Sequence, residues 1–487
     1  MKVLFNGFYA NMASVYAIQL ELLRQEIDKG NEVYTLDCHS TIPSCVANNY
    51  HQVLKCARCQ ERNDTFNKIA GKGKIKKLAM RSFAEMSNLD LPKFETFEQL
   101  IDYHYDGIQI GQGVASSVIS RLGNFRIDGD KYQKLIETKL RSAIYIYLNY
   151  KYYLEKHQFD ALYVYNGRAL QDRPIIQLAE KRNVNYYTFV NGANLTKYRL
   201  YPNSYIHDYA TIQQEIVDEW EREPDLKKKI AVAETFFDQN KMGVNKDIPQ
   251  YVKNPVSNLL PENFDQNKVN ITIYNSSEHE RWVFRSWGNT LYNYQNDAIK
   301  SIANAFTDHP NVHFYLRAHP NLSNVSNEQV DEILNLDLPN LTVIPPKSAI
   351  NSYTLLGQSD KIISFGSTIG IEATYWGIPS ILYGKGTYDI VDYAYLPNSL
   401  DELKSLILDT DLPPKPKINA IKAGYHMKNN GVDLQLASVA TIKNTRFEGK
   451  ELSMYSAKQS TYLFSYLPKI ATWLRLKAEY KNIDFLY

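Results

Sequence analysis

Short apolar runs alternate with longer stretches of helical spacing along most of the chain. The runs at 2–8, 33–38, 161–168 and 185–190 are rich in Val, Leu, Ile, Phe and Tyr and predict strands. Between the first two, Val15, Ile18, Leu22 and Ile27 recur at helical intervals and Gly30 ends the pattern. Strand, helix and strand of this length make a parallel unit. Residues 64–100 read as helical, 102–123 as glycine-rich and then helical, a long Tyr-rich helix precedes residue 161, and 210–240 is a charged helical stretch. Three prolines and many Asn interrupt the periodicity at 244–267, which predicts a linker. A second strand series follows at 269–277, 312–320, 341–346, 361–366 and 379–384. The pattern predicts an α/β protein of two doubly wound, Rossmann-like domains facing a cleft. The first spans 1–243, with a cysteine-rich excursion at 38–59. The second spans 268–400. Helices over 401–487 are expected to pack back on the first domain.

Bulk composition changes this picture little. The 487 residues are 44% hydrophobic and 22% charged, as in ordinary globular proteins. A formal net charge of +2 argues against a nucleic-acid partner. There are 37 tyrosines, which suit polar clefts, sugar sites and domain interfaces alike. The apolar run before Asn6 is too short for a signal-peptide core, and no run is long enough to span a membrane. The expected location is the cytoplasm.

The motifs that carry chemistry follow the strands of the second series, where ligands of doubly wound sheets bind. In FGSTIGIEATYWG, Gly366 permits a tight turn, Ser367 suits a helix N-cap, and Thr368 follows. Such a helix start is an anion site, and Glu372, one turn in, is placed to accept ribose hydroxyls. The bland reading is a capped helix with a solvated Glu. In FYLRAHPN, Arg317 and His319 fall at a strand end, where they would neutralise or protonate a departing phosphate. Asn275, Ser276 and Ser277 offer amides and hydroxyls after the first strand of the series. An ordinary strand-end histidine and a polar surface turn are the alternatives for these two.

The first domain offers Asp106 before Gly107, Asn166 and Arg168 after a strand, and His207 with Asp208. Asp106 and His207 are the candidate acceptor-side bases; Asn166 and Arg168 are candidate acceptor contacts. Cys38, Cys45, Cys56 and Cys59 are the only cysteines and lie within one short segment. Cys56-Ala-Arg-Cys59 is a CxxC knuckle, so a structural zinc is expected, with four reduced thiols as the alternative. Two Asp-x-Asp matches, at 128–130 and 409–411, follow no clear strand, and no catalytic metal is assigned.

The segments SSEHERW, LYNYQNDAIKSIANAF, YLRAHPN, the stretch IPPKSAINSYTLLGQSDKIISFGSTIGIEATYWGIPSILYG and IKAGYHMK together resemble bacterial capsule-polysaccharide biosynthesis proteins. These are similar to glycosyltransferases of the GT-B type. More distant relatives are Kdo transferases, polysialyltransferases and teichoic-acid glycerophosphotransferases. The resemblance is close over 269–430 and weaker at CHSTIPSCVANN, CARC, DGIQIGQGVASSVISR and YNGRALQDRP. It implies a nucleotide-sugar donor whose phosphates meet His319, Ser367 and Thr368. Where an acidic turn is expected after 185–190 the chain has Val-Asn-Gly, so Asn191 changes the charge there.

The function expected is metal-independent, inverting transfer of a sugar to a glycan or lipid-linked glycan acceptor of the cell surface. The alternatives are a CDP-polyol phosphotransferase, a sugar-nucleotide epimerase and an inactive glycan-assembly partner. Ile470, Trp473, Leu474 and Lys477 fall at helical spacing with basic neighbours. They raise the expectation of peripheral contact with the inner face of the membrane, against plain packing on the first domain.

Overall fold

The computed structural model describes residues 1–127, 129–245, 258–276, 281–324, 327–441, 444–452 and 467–479. The chain divides into two compact units. The first comprises Met1–Arg121, Phe125–Asp208 and the chain from Gly431. The second comprises Leu122–Asn124 and Tyr209–Asn430.

The first unit is built on strands β1 (Lys2–Asn6), β2 (Glu32–Asp37), β3 (Lys76–Ala79), β4 (Ala161–Tyr165), β5 (Asn185–Asn191) and β6 (Lys197–Pro202). The second carries β7 (Val269–Tyr274), β8 (Val312–Arg317), β9 (Leu341–Ile344), β10 (Lys361–Ser364) and β11 (Ser380–Leu382). Beyond residue 430, β12 (Val432–Asp433) joins the first sheet; β13 (Ala437–Val439), β14 (Thr445–Phe447) and β15 (Lys450–Glu451) form a small antiparallel sheet.

The first sheet has the order β12-β6-β5-β4-β1-β2-β3, parallel from β5 to β3, with β6 and β12 added antiparallel. β1 is the point where the order reverses, so a crevice opens beyond β1 and β4 at their carboxyl ends. The second sheet, β11-β10-β7-β8-β9, is wholly parallel and reverses between β7 and β10. Its strands are apolar because helices cover both faces. Ile271, Ile273, Phe314, Leu316 and Ile363 pack with the helix Gln295–Asn304 on one face. Ile369 and Ala373 pack with Tyr274 and Ile362 on the other. This is the doubly wound architecture the periodicity predicts, twice over.

Three expectations are corrected. The helical stretch at 210–240 is two helices, Tyr209–Arg222 and Leu226–Lys241, and both belong to the second unit, so the first portion ends at Asp208 rather than 243. The reason is packing: Leu226–Lys241 lies along the helix Lys417–Asn429, where Gly424 lets the Phe237 ring approach. Of the segment expected as linker, residues 246–257 lie outside the described residues. Residues 401–430, expected among helices on the first domain, belong to the second unit, whereas the chain from Gly431 belongs to the first. The final helix, Leu467–Glu479, lies on the helix Val53–Gly71, with Leu476 buried and Leu474 exposed. Residues 64–100 are also only partly helical, since β3 follows Gly71. No helix among the described residues is long and apolar enough to cross a membrane.

Candidate functional site

Three turns of the second unit converge because their strands are neighbours. Ser364 pairs with Tyr274 and Tyr274 with Arg317, so β10, β7 and β8 end in one row. The Ser276 hydroxyl donates to the Phe365 carbonyl at 2.7 Å and ties the β7 turn to the β10 turn. The Asn275 side-chain oxygen accepts from the His319 amide at 2.7 Å and ties it to the β8 turn. Gln295 accepts from the Ser276 amide and donates to the Ser276 carbonyl, fixing that backbone from the helix behind it. Ser277 lies outside the described residues.

The β10 turn depends on Gly366, whose φ of +88° is costly for any residue with a Cβ. Ser367 is half-buried and Thr368 is exposed. Thr368, not Ser367, is the N-cap, and its side chain makes no cap bond, so the short helix Ile369–Tyr375 starts without one. Arg281, which the sequence reading passed over, has its Nη1 3.9 Å from the position a Gly366 side chain would take. Its guanidinium lies over the Trp287 ring and donates to Thr387. Its only sequence signal is the Glu-Arg-Trp run after Ser277.

Arg317 is not a surface clamp. It is 1% exposed, and Nη1 donates to the Ala318 and Pro345 carbonyls at 3.1 and 2.7 Å. Nε and Nη2 are buried and have no hydrogen-bond partner among the described residues. Burial pulls its pKa below the ordinary value, yet a guanidinium stays charged. Among the described residues this positive charge at the end of β8 is paired only with neutral carbonyls. Buried Asn275 adds a further donor, Nδ2, with no partner among the described residues. His319 is half-buried, and burial also holds its pKa down. Its Nδ1 accepts from the Asn321 amide at 3.2 Å, which leaves the proton of the neutral ring on Nε2.

Glu372 departs from expectation. It is 3% exposed, not solvated, and accepts the hydroxyl of Tyr353. Burial pushes its carboxyl up to about 7, against the opposing hydrogen bonds from Tyr353, Asn240 and Thr368. The carboxyl expected at ribose hydroxyls is turned into the protein.

In the first unit, Asn166 and His207 are brought together, with the ring Nε2 3.2 Å from the amide oxygen. Gly167 follows at φ +88°, where a Cβ would meet Tyr205 at 2.8 Å. Asn166 and Arg168 line a cavity of about 270 Å³ beyond β1 and β4. Asp106 is elsewhere. Its carboxylate accepts from Tyr147 and Lys151, both at 2.6 Å, and the Lys151 bond first of all holds it below the usual carboxylate range. A carboxylate so held is a poor base at neutral pH. The sequence reading missed Asp172, which lines the cavity and is fully buried. It stands at the N-cap of the helix Arg173–Arg182, yet its carboxyl makes no cap bond. It accepts instead from Tyr9 and, at 3.4 Å, from Asn6. Burial drives its pKa well up.

The four cysteines line one small cavity of about 40 Å³ together with His39 and His51. Burial pushes Cys38 to about 11 and Cys45 to about 12, and raises Cys59 as well. Among the described residues no three His, Cys, Asp or Glu side chains are placed to hold one metal ion, so the zinc ligand set expected of Cys38, Cys45, Cys56 and Cys59 is not assembled here.

No family model matches the chain, and no curated protein matches it in sequence. Similar solved structures include the beta Kdo 2,4 transferase KpsC of Thermosulfurimonas dismutans, at 12% identity over 55% of this chain and 79% of that one, with a TM-score of 0.36. The beta Kdo 2,7 transferase KpsC of the same organism aligns at 14% identity over 66% and 89%, with a TM-score of 0.33. The UDP-GlcNAc 2-epimerase of Neisseria meningitidis bound to UDP-GlcNAc aligns at 12% identity over 88% and 97%, with a TM-score of 0.25.

Proposed function

We propose that the chain is a glycosyltransferase that moves a sugar from a nucleotide-activated donor to a surface-polysaccharide acceptor. The observation that carries this reading is the buried charge of Arg317 at the junction of three polar turns. An uncompensated cation in a protein interior is costly, and an anion beside it relieves that cost. Ser276, His319, Ser367, Thr368 and Arg281 surround this junction with hydroxyl, imidazole and guanidinium groups, which suits a diphosphate or monophosphate. Arg317 acts through its field, whereas the half-buried and exposed groups make the contacts.

In the inverting form of the reaction, an acceptor hydroxyl passes its proton to a base, the role left to His207 once Asp106 is discounted, and its oxygen attacks the anomeric carbon. The bond from that carbon to the phosphate oxygen breaks, and the phosphate leaves with the electron pair. Charge develops on that oxygen, where fixed donors lower the barrier most. His319, neutral and carrying its proton on Nε2, serves there as a donor rather than as an acid.

The test is nucleotide release by the full chain from a panel of CMP-, CDP-, UDP- and GDP-sugars, with the sugar product followed by mass spectrometry. One donor class is expected to give nucleotide and transferred or hydrolysed sugar together. Interconversion of the sugar without nucleotide release would assign the chain to the epimerases instead. Release of an intact polyol phosphate from a CDP carrier would assign it to the phosphotransferases.

A further inference from the structure

Beyond β11 the second unit carries a segment packed against the β10 turn. It leaves the carboxyl end of a sheet strand, where ligands of doubly wound folds bind. The Lys385 carbonyl lies 3.3 Å, and the Gly386 Cα 3.7 Å, from the position a Gly366 side chain would take. Thr387 accepts from Arg281 Nη2 at 2.7 Å. Residues 385–387 therefore form a wall beside Gly366 and fix the guanidinium that stands there.

Two helices of the same unit hold this wall from behind. Tyr209 and Gln213, one turn apart on the helix Tyr209–Arg222, both donate to the Asp389 carboxylate. Asn419 and His426, two turns apart on the helix Lys417–Asn429, grip the segment from one face. The Asn419 side chain donates to the Asp392 carbonyl at 2.9 Å. His426 is buried, and its Nδ1 lies 3.0 Å from the Tyr388 hydroxyl. Its Nε2 faces Glu219 at 3.6 Å and Glu215 at 3.9 Å. Glu219 in turn accepts from Asn429 at 2.7 Å. The carboxylates favour a proton on Nε2, so in the neutral ring Nδ1 accepts and the Tyr388 hydroxyl donates. The chain Glu219, His426, Tyr388 thus ends on the neighbour of Thr387.

We infer that His426 is a positioning residue for the donor: it fixes Tyr388 and, through the adjoining Thr387 and Arg281, the wall against which the nucleotide's phosphate binds. The inference deepens the proposed transfer and rests on that reading for its ligand. It gives the histidine of IKAGYHMK a task that the sequence reading left unassigned.

The test is calorimetric affinity of the full chain for CMP, CDP, UDP and GDP, beside Tyr388→Phe, His426→Leu and His426→Asn, with urea unfolding of each. His426→Asn keeps an amide where Nδ1 stands, within reach of the Tyr388 hydroxyl. For the nucleotide that binds the parent most tightly, Tyr388→Phe and His426→Leu are each expected to weaken affinity at least about fivefold. The double variant is expected to lose no more than the worse single one, since both break the same link. His426→Asn is expected to return affinity to within about twofold of the parent. A histidine that serves packing alone would lower stability and leave the affinity of the folded chain unchanged. Affinity kept in Tyr388→Phe or in a folded His426→Leu, additive losses in the double variant, or no recovery in His426→Asn would overturn the inference. If His426→Leu does not fold, Tyr388→Phe, which keeps the buried ring, decides together with His426→Asn. Binding of none of the four nucleotides by the folded parent would sink the donor reading and this role with it, whereas binding that the variants keep would sink the role of His426 alone.

Discussion

Tyr353, itself partly buried, donates its hydroxyl to Glu372, which is buried beneath the turn that follows β10. Glu372 therefore keeps its proton to a higher pH in the folded chain than in the unfolded one. The folded pKa is about 7, raised chiefly by burial. A raised carboxyl pKa means the folded state binds more protons between the two values. Stability from this group is fully present below about pH 4 and is lost as pH rises toward 7. Glu372→Gln should thus melt higher than the parent at pH 8, by up to about 3 kcal/mol, and the gain should vanish near pH 4. Paired melting curves across that range check it; a variant less stable at every pH would make Glu372 a plain structural acceptor.

Arg317 carries an opposite expectation for binding and for folding. Among the described residues two of its guanidinium nitrogens have no partner, so a neutral side chain of similar length should cost the fold little. Arg317→Met is expected to stay within about 1 kcal/mol of the parent in urea unfolding while weakening nucleotide affinity at least about tenfold, which is about 1.4 kcal/mol. Large destabilisation with affinity unchanged would show that the charge serves the β8 end alone.

Asp106, read from the sequence as a base, is paired on Tyr147 and Lys151 at an exposed turn. Asp106→Asn should leave turnover within about twofold and cost at most about 1 kcal/mol of stability, as exposed ion pairs do. A turnover loss above about a hundredfold with the donor still bound would restore it as the base.

His319 lies half-buried between Asn275 and Asn321 with its proton on Nε2. His319→Ala should lower turnover at saturating donor about tenfold or more, about 1.4 kcal/mol of transition-state stabilisation. Because the ring is neutral near pH 7, the parent's rate should show no fall from loss of an imidazolium between pH 7 and 8. Such a fall in the rate profile would mean the ring acts as a charged acid.

What the sequence made legible was local. Strand ends at Tyr274, Arg317 and Ser364 follow from apolar runs broken by Asn, His-Pro and Gly, so the three turns were found before their contacts were known. Gly366 was legible because few residues tolerate its φ. The rest depends on partners far along the chain. Asp172 before Arg-Pro reads as a helix cap, and only Tyr9, 163 positions away, shows where its carboxyl goes. Glu372 looks solvated until Tyr353 covers it. The boundary near 243 was misplaced because a charged helix carries no mark of the unit it packs on; β12 is only two residues long, and β6 mixes polar residues among its tyrosines, so neither stands out. The four cysteines were legible as a cluster and do line one cavity, but spacing alone says nothing of how their sulfurs are aimed.

The central claim is that the turns after β7, β8 and β10 hold a nucleotide. The most direct measurement is thermal unfolding of the full chain with CMP, CDP, UDP and GDP in turn, beside Arg317→Met. At about 100 times its dissociation constant, a bound nucleotide adds about 2.7 kcal/mol to stability. The account predicts that one nucleotide raises the melting temperature of the parent and does so much less in the variant. No shift with any of the four, or equal shifts in parent and variant, would contradict it.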